Sequence, residues 1–440
     1  METPIIDFVA KYAASDTMRL HMPGHKGKTF FGPEKWDLTE ITGADSLYEA
    51  RGVIRQSEEN ASRLFGCPTF YSTEGSSHCI RAMLTLAMQY AAGQGRTPVI
   101  AAARNVHKSF LSAAALLDLQ VQWLYPEAAM SYLSCPITAA QVEDFLTETK
   151  ATALYVTSPD YLGCMADIQG LAQVCHRHDC LLLVDNAHGA YLRFLKPSQH
   201  PMDLGADICC DSAHKTLPVL TGGAYLHISP NAPAFFVEQA KNALALYGST
   251  SPSYLILQSL DLANRLLEEM DIAAFADKIV AMRRRLEEKY LFFVQDEPMK
   301  LTIDAAMMGC GTGVLTWQLE EMGIEWEFAD PHYLVLMPSP TMTEEELNRL
   351  EAALEKLEFG QEVPLDLPEF IPCRPVMSLR QAMLSPAETL PVKQCVGRIL
   401  AQPSVGCPPA VPIVICGEEI DERAAKLLRF YGVEECTVVR

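Results

Sequence analysis

The sequence predicts an α/β fold built on a mostly parallel sheet with helices on both faces. Short apolar segments alternate with helix-length segments from residue 46 to about residue 259, which is the order expected when each strand is followed by a crossover helix. The chain has 440 residues, enough to bury a large core and to form two or three domains. Two of the predicted strands lead into ionisable side chains at their carboxyl ends, where ligands bind in such sheets.

The alternation predicts where the elements of this region begin and end. The predicted strands are 99–103, 121–125, 153–157, 181–185 and 207–210. The predicted helices are 77–92, 107–117, 138–149 and 168–178. A short helix is expected earlier, at 5–14, and a long helix is expected to start at Pro252, because proline is favoured in the first turn of a helix.

The pattern changes at about residue 273 and predicts smaller α+β domains beyond it. There we expect helices at 279–293, 344–357 and 420–430, and strands at 313–319, 325–328, 333–337, 411–415 and 436–439. Residues 359–364 are interpreted as a linker. The predicted division is an N-terminal segment 1–45, a large domain 46–265, a small α+β domain 266–365 and a C-terminal domain 366–440.

The acidic composition argues against two classes of partner, nucleic acids and anionic membranes. The formal net charge is −20, which disfavours nucleic acid and anionic membranes and is compatible with a cationic small molecule. No apolar segment approaches the roughly 18 residues of a membrane-spanning helix, and the start has no secretory signal pattern. The 14 cysteines are scattered through apolar segments, as expected of reduced thiols in a cytoplasmic protein.

An aspartate and a lysine stand at the ends of two buried strands. Asp185 ends the run 181–185, and Lys215 follows the run 207–210 with His214 beside it. Strand ends of one parallel sheet face the same crevice. Pyridoxal phosphate (PLP) needs this pair, because a lysine holds its aldehyde and a carboxylate keeps its pyridine nitrogen protonated. Taken alone, a lysine beside a histidine is more often a solvated surface pair.

Two further segments are candidates for the same crevice. Gly75, Ser76 and Ser77 open a predicted helix, where backbone N–H groups, hydroxyls and the helix dipole would suit a phosphate; the alternative is ordinary N-capping. His107 follows the strand 99–103, where an imidazole could stack on a flat ring or cap the next helix.

Two histidine-containing segments are interpreted as having no metal site. His21 and His25 have the spacing of a helical metal pair, but Pro23 and Gly24 between them break a helix, so the segment is predicted to be an ordered loop. Two alternatives stay open for this loop: it lines a site, or it is a simple surface turn. The segment 175–180 contains Cys and His residues, yet it lacks a second group with zinc spacing.

Motifs along nearly the whole chain resemble those of the bacterial-type ornithine/lysine/arginine decarboxylases, which are fold type I PLP enzymes. The resembling segments are HMPGHKG at 21–27, DLTEITGADSL at 37–47, EGSS at 74–77, RNVHKS at 104–109, TSPDYLG at 157–163, VDNAHGAYLRF at 184–194, DSAHKTLPVLTGGAYLHI at 211–228, STSPSYLILQSLD at 249–261 and GRILAQPSVGCPPAVPIVICGEEI at 397–420. The chain looks like the short form of the family, without the extra N-terminal domain of larger members.

The resemblance implies a role for several of these positions. It implies that Lys215 is the Schiff-base lysine and that His214 contacts the phosphate or assists protonation. It also implies that Asp185 pairs with the ring nitrogen, with His188 close beside it, and that His107 stacks on the ring.

The phosphate ligands implied in the same way lie in two segments of the large domain. They include Ser76 and Ser77 of the turn that starts at Gly75, together with Ser212. Thr250 resembles a residue that reaches the phosphate from a neighbouring subunit, which implies a homodimer or a higher homo-oligomer with shared sites.

The implied reaction is decarboxylation of arginine, lysine or ornithine to agmatine or a diamine. Two alternatives stay open. One is another PLP reaction, transamination or elimination, which would need a carboxylate-binding arginine such as Arg104 or Arg193. The other is a PLP-binding protein with little catalysis, suggested by Glu74 and Asp211, which stand where the family pattern has asparagine and glutamine. Smaller differences from the pattern are Ser77, Asn186 and Gly222.

Overall fold

The computed structural model describes residues 1–127, 131–289, 291–358, 372–404 and 409–440. The strands are β1 Thr69–Ser72, β2 Val99–Ala103, β3 Gln120–Leu124, β4 Ala153–Thr157, β5 Leu181–Asp185, β6 Ile208–Asp211, β7 Ala224–Ile228, β8 Leu301–Asp304, β9 Phe328–Ala329, β10 Tyr333–Leu336, β11 Ala387–Pro391 and β12 Glu435–Val439. The predicted linker at 359–364 lies outside the described residues.

The helices are α1 Pro4–Ala13, α2 Val53–Phe65, α3 Gly75–Gly93, α4 Lys108–Leu116, α5 Ala139–Glu148, α6 Ile168–Arg177, α7 Ala213–Thr216, α8 Ala234–Ala245, α9 Tyr254–Glu269, α10 Ile272–Glu287, α11 Thr312–Glu321, α12 Glu344–Leu354, α13 Leu379–Leu384 and α14 Glu422–Phe430. Within the described ranges, none of them is both long enough and apolar enough to cross a membrane.

The chain divides into two compact units. The first comprises Met1–Pro98, Glu143–Val156 and Ile168–Ala273, and the second comprises Val99–Val142, Thr157–Asp167 and Ala274–Arg440. The domain boundaries expected from the sequence remain a prediction.

The sheet of the first unit has its strands in the order β1-β7-β6-β5-β4. Strands β5 and β6 are parallel, with Asp185 opposite Cys210, so their carboxyl ends lie at one edge of the sheet. The unpredicted β7 runs antiparallel to both β6 and β1, which makes the sheet mixed. All five residues of β5 are buried, as expected of a strand covered on both faces.

The helices of the first unit begin where the sequence provides the appropriate residues. Helix α3 starts at Gly75, whose positive φ of +73° suits glycine, and it packs on β6 and β7. Helix α9 begins just after Ser253, whose hydroxyl accepts from the Ile256 N–H. Pro252, predicted to start this helix, therefore lies just outside it. Residues 21–27 form turns instead of a helix, as predicted.

The second unit contains three smaller groups of strands. Strands β2 and β3 are parallel, with Val99 opposite Gln120. Strands β8, β10 and β9 form an antiparallel sheet in that order, and β11 pairs antiparallel with β12.

Two strand predictions in this unit are wrong, and a third, 325–328, overlaps β9 only at Phe328. Residues 313–319 lie in helix α11, where the buried side chains Thr312, Leu315 and Leu319 have helical spacing while Trp317 is exposed. Residues 411–415 have buried side chains but form no strand. Two backbone carbonyls of that segment accept hydrogen bonds from Arg104 instead of from a neighbouring strand.

Candidate active site

Asp185, the last residue of β5, is a buried carboxylate with specific partners. Its side chain accepts a 3.0 Å hydrogen bond from the Tyr155 hydroxyl and a 3.2 Å bond from the Ala187 N–H, and it is 2% exposed. Burial raises the pKa of Asp185 above its usual value, while the positive charge of Lys215 and the Tyr155 bond act in the opposite direction. Burial is the larger of these effects, so the pKa of Asp185 stays above its usual value and its neighbours only limit the rise.

Lys215 lies on the short helix α7, which directly follows β6. Its Nζ is 3.0 Å from Nε2 of His188, whose side chain is 4% exposed. An ammonium group has no lone pair to accept with, so Nζ donates and His188 offers a nitrogen lone pair. The fold thus brings together Asp185, His188 and Lys215, three of the residues selected from the sequence.

His214, beside the lysine, faces the backbone of the loop that precedes β7. Its Nδ1 lies 3.1 Å from the Gly223 carbonyl oxygen, toward which it would donate, and 3.4 Å from the Gly222 backbone nitrogen, from which it would accept. Burial lowers the pKa of His214, and the neighbouring charge of Lys215 lowers it further. In either tautomer, a neutral imidazole ring has one nitrogen with a lone pair, which can accept a proton.

The start of α3 has the features of an anion-binding site. The Gly75 N–H donates to the Gly222 carbonyl at 2.7 Å, and the side chain of the N-cap residue Glu74 makes no capping bond. A Cβ added at Gly75 would meet no heavy atom within 4 Å, so there is open space before the helix. The Ser212 hydroxyl donates to the Ser76 hydroxyl at 2.7 Å, and Ser77 lies in the same first turn.

The loop that carries Thr250 lies against this turn within one chain. The Ser249 N–H donates to the Glu74 carboxylate at 2.6 Å, while Thr250 itself is exposed. The loop can pack closely against Tyr48 because Gly248 has no side chain. A Cβ added at Gly248 would lie 1.7 Å from the Tyr48 hydroxyl oxygen.

His107 belongs to the second unit, where it precedes α4. Its Nδ1 accepts from the Ser109 N–H at 3.1 Å and pairs with the Ser109 hydroxyl at 2.8 Å. The side chain therefore caps α4, which is one of the two roles that the sequence suggested for it.

Asp211 is the centre of a buried network that sequence reasoning recorded only as a departure from the family pattern. Its carboxylate accepts from Asn186 Nδ2 at 2.7 Å, from His200 Nε2 at 3.0 Å and from His227 Nε2 at 3.1 Å. Burial alone would raise the pKa of Asp211, but the two histidines hold it well below its usual range. The network links Asn186, next to Asp185, with the residue that precedes Ser212.

This network also contains a possible metal-binding group, because ligand atoms of His200, Cys209 and Asp211 lie within 4.8 Å of one another. His200 Nδ1 accepts from the Met202 N–H at 3.3 Å, so its proton is on Nε2, which donates to Asp211. That nitrogen has no lone pair for a metal, and the group is a hydrogen-bond network.

Histidines of the segment 175–180 are also paired with carboxylates instead of with each other. His176 contacts Asp207 at 3.1 Å, and His178 contacts Glu143 at 2.6 Å.

The two arginines considered for an alternative reaction are bound to other groups. Arg104 donates to the carbonyl oxygens of Pro412 and Ile413, each at 2.9 Å. Arg193 donates to the Leu64 carbonyl at 3.0 Å and pairs with Asp203.

The donor set of the first unit fits PLP. A primary amine suits its aldehyde, a buried carboxylate suits its pyridinium nitrogen, and an open helix N-terminus with two hydroxyls suits its phosphate. Each of these groups is present among Lys215, Asp185, Gly75, Ser76 and Ser212.

Comparison with known proteins identifies the family. Residues 3–349 match the family described as "Orn/Lys/Arg decarboxylase, major domain", and residues 365–437 match its C-terminal domain. The arginine decarboxylase of Bacillus subtilis is 30% identical, covering 96% of this chain and 92% of that protein. The arginine decarboxylase of Bacillus anthracis is 28% identical, covering 97% and 92%.

Among solved structures, the constitutive lysine decarboxylase of E. coli superposes with a TM-score of 0.77 at 18% identity, covering 100% of this chain and 82% of that chain. This likeness confirms the predicted fold class. The family uses PLP as its cofactor. The chain belongs to the Orn/Lys/Arg decarboxylase family.

Proposed function

We propose that this chain is a PLP-dependent decarboxylase of a basic amino acid, which releases CO2 from arginine, lysine or ornithine and leaves agmatine or a diamine. The observation that carries the proposal is the convergence of Asp185, His188 and Lys215 at adjacent strand ends, in a chain of this family. Arginine is the first substrate to test, because two relatives that match over nearly their whole length are named arginine decarboxylase.

Each residue around the crevice would have a different role in the reaction. PLP, when bound, supplies the electron sink that accepts the electron pair left behind by CO2. Asp185 would hold the proton on the pyridine nitrogen, with its charge supported by Tyr155. Lys215 would bind the aldehyde, and after substrate displaces it, Lys215 or His214 would return a proton to the α-carbon of the substrate. His188 would orient the Lys215 amine through their 3.0 Å contact.

The remaining assignments position the cofactor. We assign the phosphate to Gly75, Ser76 and Ser77 at the start of α3, together with Ser212. The open space at Gly75 and the Ser212–Ser76 hydroxyl pair support this assignment. We also propose, on the basis of the family resemblance, that the His107 ring stacks on the cofactor while its Nδ1 caps α4.

The proposed assembly is a homodimer or a larger homo-oligomer in which Thr250 contacts the partner's phosphate. Large apolar side chains of the first unit support a protein interface, because Leu20, Phe30 and Phe31 are 84%, 79% and 90% exposed. The proposed location is the cytoplasm, since the described cysteines are free thiols.

The contacts of four charged residues weigh against the alternatives. Transamination or elimination needs an arginine for the substrate carboxylate, and both Arg104 and Arg193 already bind other groups. The suggestion of weak catalysis came from Glu74 and Asp211, whose charges have hydrogen-bond donors within the fold.

The test is a quantitative assay of CO2 and amine from PLP-loaded protein with arginine, lysine, ornithine and a neutral amino acid such as leucine. We expect one basic amino acid to give CO2 and its amine in equal amounts, and Lys215→Ala to abolish the release. Production of a keto acid without CO2 would favour transamination. Bound PLP with no turnover of any basic amino acid would favour the non-catalytic alternative.

A further inference from the structure

Asn186, the residue after the end of β5, is hydrogen-bonded on three sides. Its backbone N–H donates to the Cys210 carbonyl of β6 at 2.9 Å, and its own carbonyl accepts from the Gly189 N–H at 2.8 Å. The second of these bonds closes the turn that carries His188. The side-chain Nδ2 donates to Asp211 at 2.7 Å, and the residue is fully buried. Asn186 therefore joins the end of β5, the turn after it and the end of β6.

Asp211 holds the other end of the side-chain bond in a fixed orientation. It is the last residue of β6 and is fully buried. Its Oδ1 accepts from Asn186, while its Oδ2 accepts from His200 at 3.0 Å and from His227 at 3.1 Å. These donors come from three parts of the chain: the turn after β5, the segment that leads to β6, and β7. Because both oxygens are bound, the carboxylate cannot rotate without breaking a charge-assisted hydrogen bond.

This side-chain bond continues the link between β5 and β6 past the point where their pairing stops. The paired residues of β5 end at Asp185. His188 follows Asn186 by two residues, and Lys215 follows Asp211 by four, so any change in the distance between the strand ends is passed on over a short length of chain. The separation of Asp185 and His188 from Lys215 therefore depends on this bond. A misplacement of about 1 Å is enough to slow a reaction severely.

We propose that Asn186 and Asp211 are positioning residues for the cofactor site. Their side-chain bond sets the distance between the end of β5 and the segment after β6, and so the geometry in which Asp185 and Lys215 hold PLP. The inference rests on the proposed function, which assigns Asp185 to the ring nitrogen and Lys215 to the aldehyde. Asn186 and Asp211 act through these neighbours and need no contact of their own with the cofactor.

The test is a pH titration of the visible absorbance of PLP-loaded protein, native and Asn186→Ala. The midpoint of this titration is the pKa of the bound cofactor where it joins Lys215, and it depends on the distances to nearby charges such as Asp185. A change of about 1 Å between charges a few ångströms apart shifts a pKa by roughly half a unit. We therefore expect the midpoint in Asn186→Ala to differ from native by at least about 0.5 pH unit. With the substrate found by the CO2 assay, kcat should fall at least about tenfold while KM changes less than about threefold.

Asn264 in α9 provides a matched control in the same unit. It is also fully buried, and its Nδ2 donates at 2.7 Å to the Tyr71 hydroxyl. Its Oδ1, like that of Asn186, has no hydrogen-bond partner among the described residues. Asn264→Ala removes the same atoms away from the two strand ends. It should lower the free energy of unfolding about as much as Asn186→Ala, yet leave the midpoint within about 0.2 pH unit of native and kcat within about twofold.

A folded Asn186→Ala protein with the native midpoint would overturn the proposal, as would an equal shift in Asn264→Ala. If Asn186→Ala does not fold, Asn186→Ser and Asn264→Ser replace the two alanine variants. The serine hydroxyl ends one bond short of the position of the amide nitrogen, so it leaves a polar group in the buried site without restoring the bond to Asp211. A native midpoint in Asn186→Ser would equally overturn the proposal. The titration needs no turnover, so a shifted midpoint in a protein that releases no CO2 would count against the decarboxylase assignment alone.

Discussion

Tyr155 is predicted to support catalysis by keeping Asp185 ionised. Its hydroxyl is fully buried and donates to Asp185 at 3.0 Å. Burial raises the pKa of Tyr155 well above its usual value, so the hydroxyl stays protonated and donates. In Tyr155→Phe, Asp185 loses this donor without a large change in side-chain volume.

The size of the effect follows from the kind of bond that is lost. A hydrogen bond to a charged group contributes about 1.5–3 kcal/mol, which corresponds to about a 10- to 150-fold change in an equilibrium or rate constant. We expect kcat for decarboxylation to fall by at least about tenfold, because Asp185 would hold the pyridine proton less well. Steady-state CO2 release and thermal unfolding of the PLP-loaded protein measure the two consequences.

Tyr225 offers a matched control on strand β7 of the same sheet. It is also fully buried, but its hydroxyl has no hydrogen-bond partner among the described residues. Tyr225→Phe removes the same atom without removing a bond, so kcat and the melting temperature should stay near those of the native protein. A kcat within twofold of native for Tyr155→Phe, or equal losses in the two variants, would refute the reasoning.

Three other predictions follow from the same site. Asp185→Asn should leave the fold intact and lower kcat by orders of magnitude; near-native turnover would show that Asp185 is not the ring partner. Mixing Lys215→Ala chains with Thr250→Ala chains should restore activity above either parent if sites are shared between subunits, and should restore none if each chain completes its own site. Asp211→Asn should lower the free energy of unfolding at pH 7 by about 3 kcal/mol, as for a broken buried pair. Because the pKa of Asp211 is lowered in the fold, its contribution is present above about pH 4 and is lost as the pH falls further. The difference from native in chemical denaturation should therefore shrink in acid, and a difference that grows in acid would contradict this.

The parallel strands in the sheet of the first unit could be predicted because each is a short apolar run bounded by polar or small residues. Strands β4 and β5 begin and end where the sequence pattern placed them. The antiparallel strands β1 and β7 were missed, since their pairing joins residues far apart in the chain, such as Thr69 and His227. The prediction for 313–319 was wrong because a short run of apolar residues fits a strand and a helix equally well. Which of these side chains are buried distinguishes the two, and burial cannot be seen in the sequence.

The site was predictable where a residue's position along a strand determines its location. Asp185 ends one strand and Lys215 follows the adjacent parallel strand, so their convergence could be predicted from the sequence. Tyr155 was missed because an interior tyrosine of a buried strand gives no sequence signal of a hydrogen bond to a neighbouring strand.

The most direct test of the account is to locate the cofactor on the chain. Protein loaded with PLP would be reduced with borohydride, which makes the bond between the cofactor and its lysine permanent, then digested and analysed by mass spectrometry. We expect the label on Lys215, and we expect no label on the Lys215→Ala protein after the same treatment. Stoichiometric labelling of another lysine, with Lys215 unmodified, would contradict the assignment of the site.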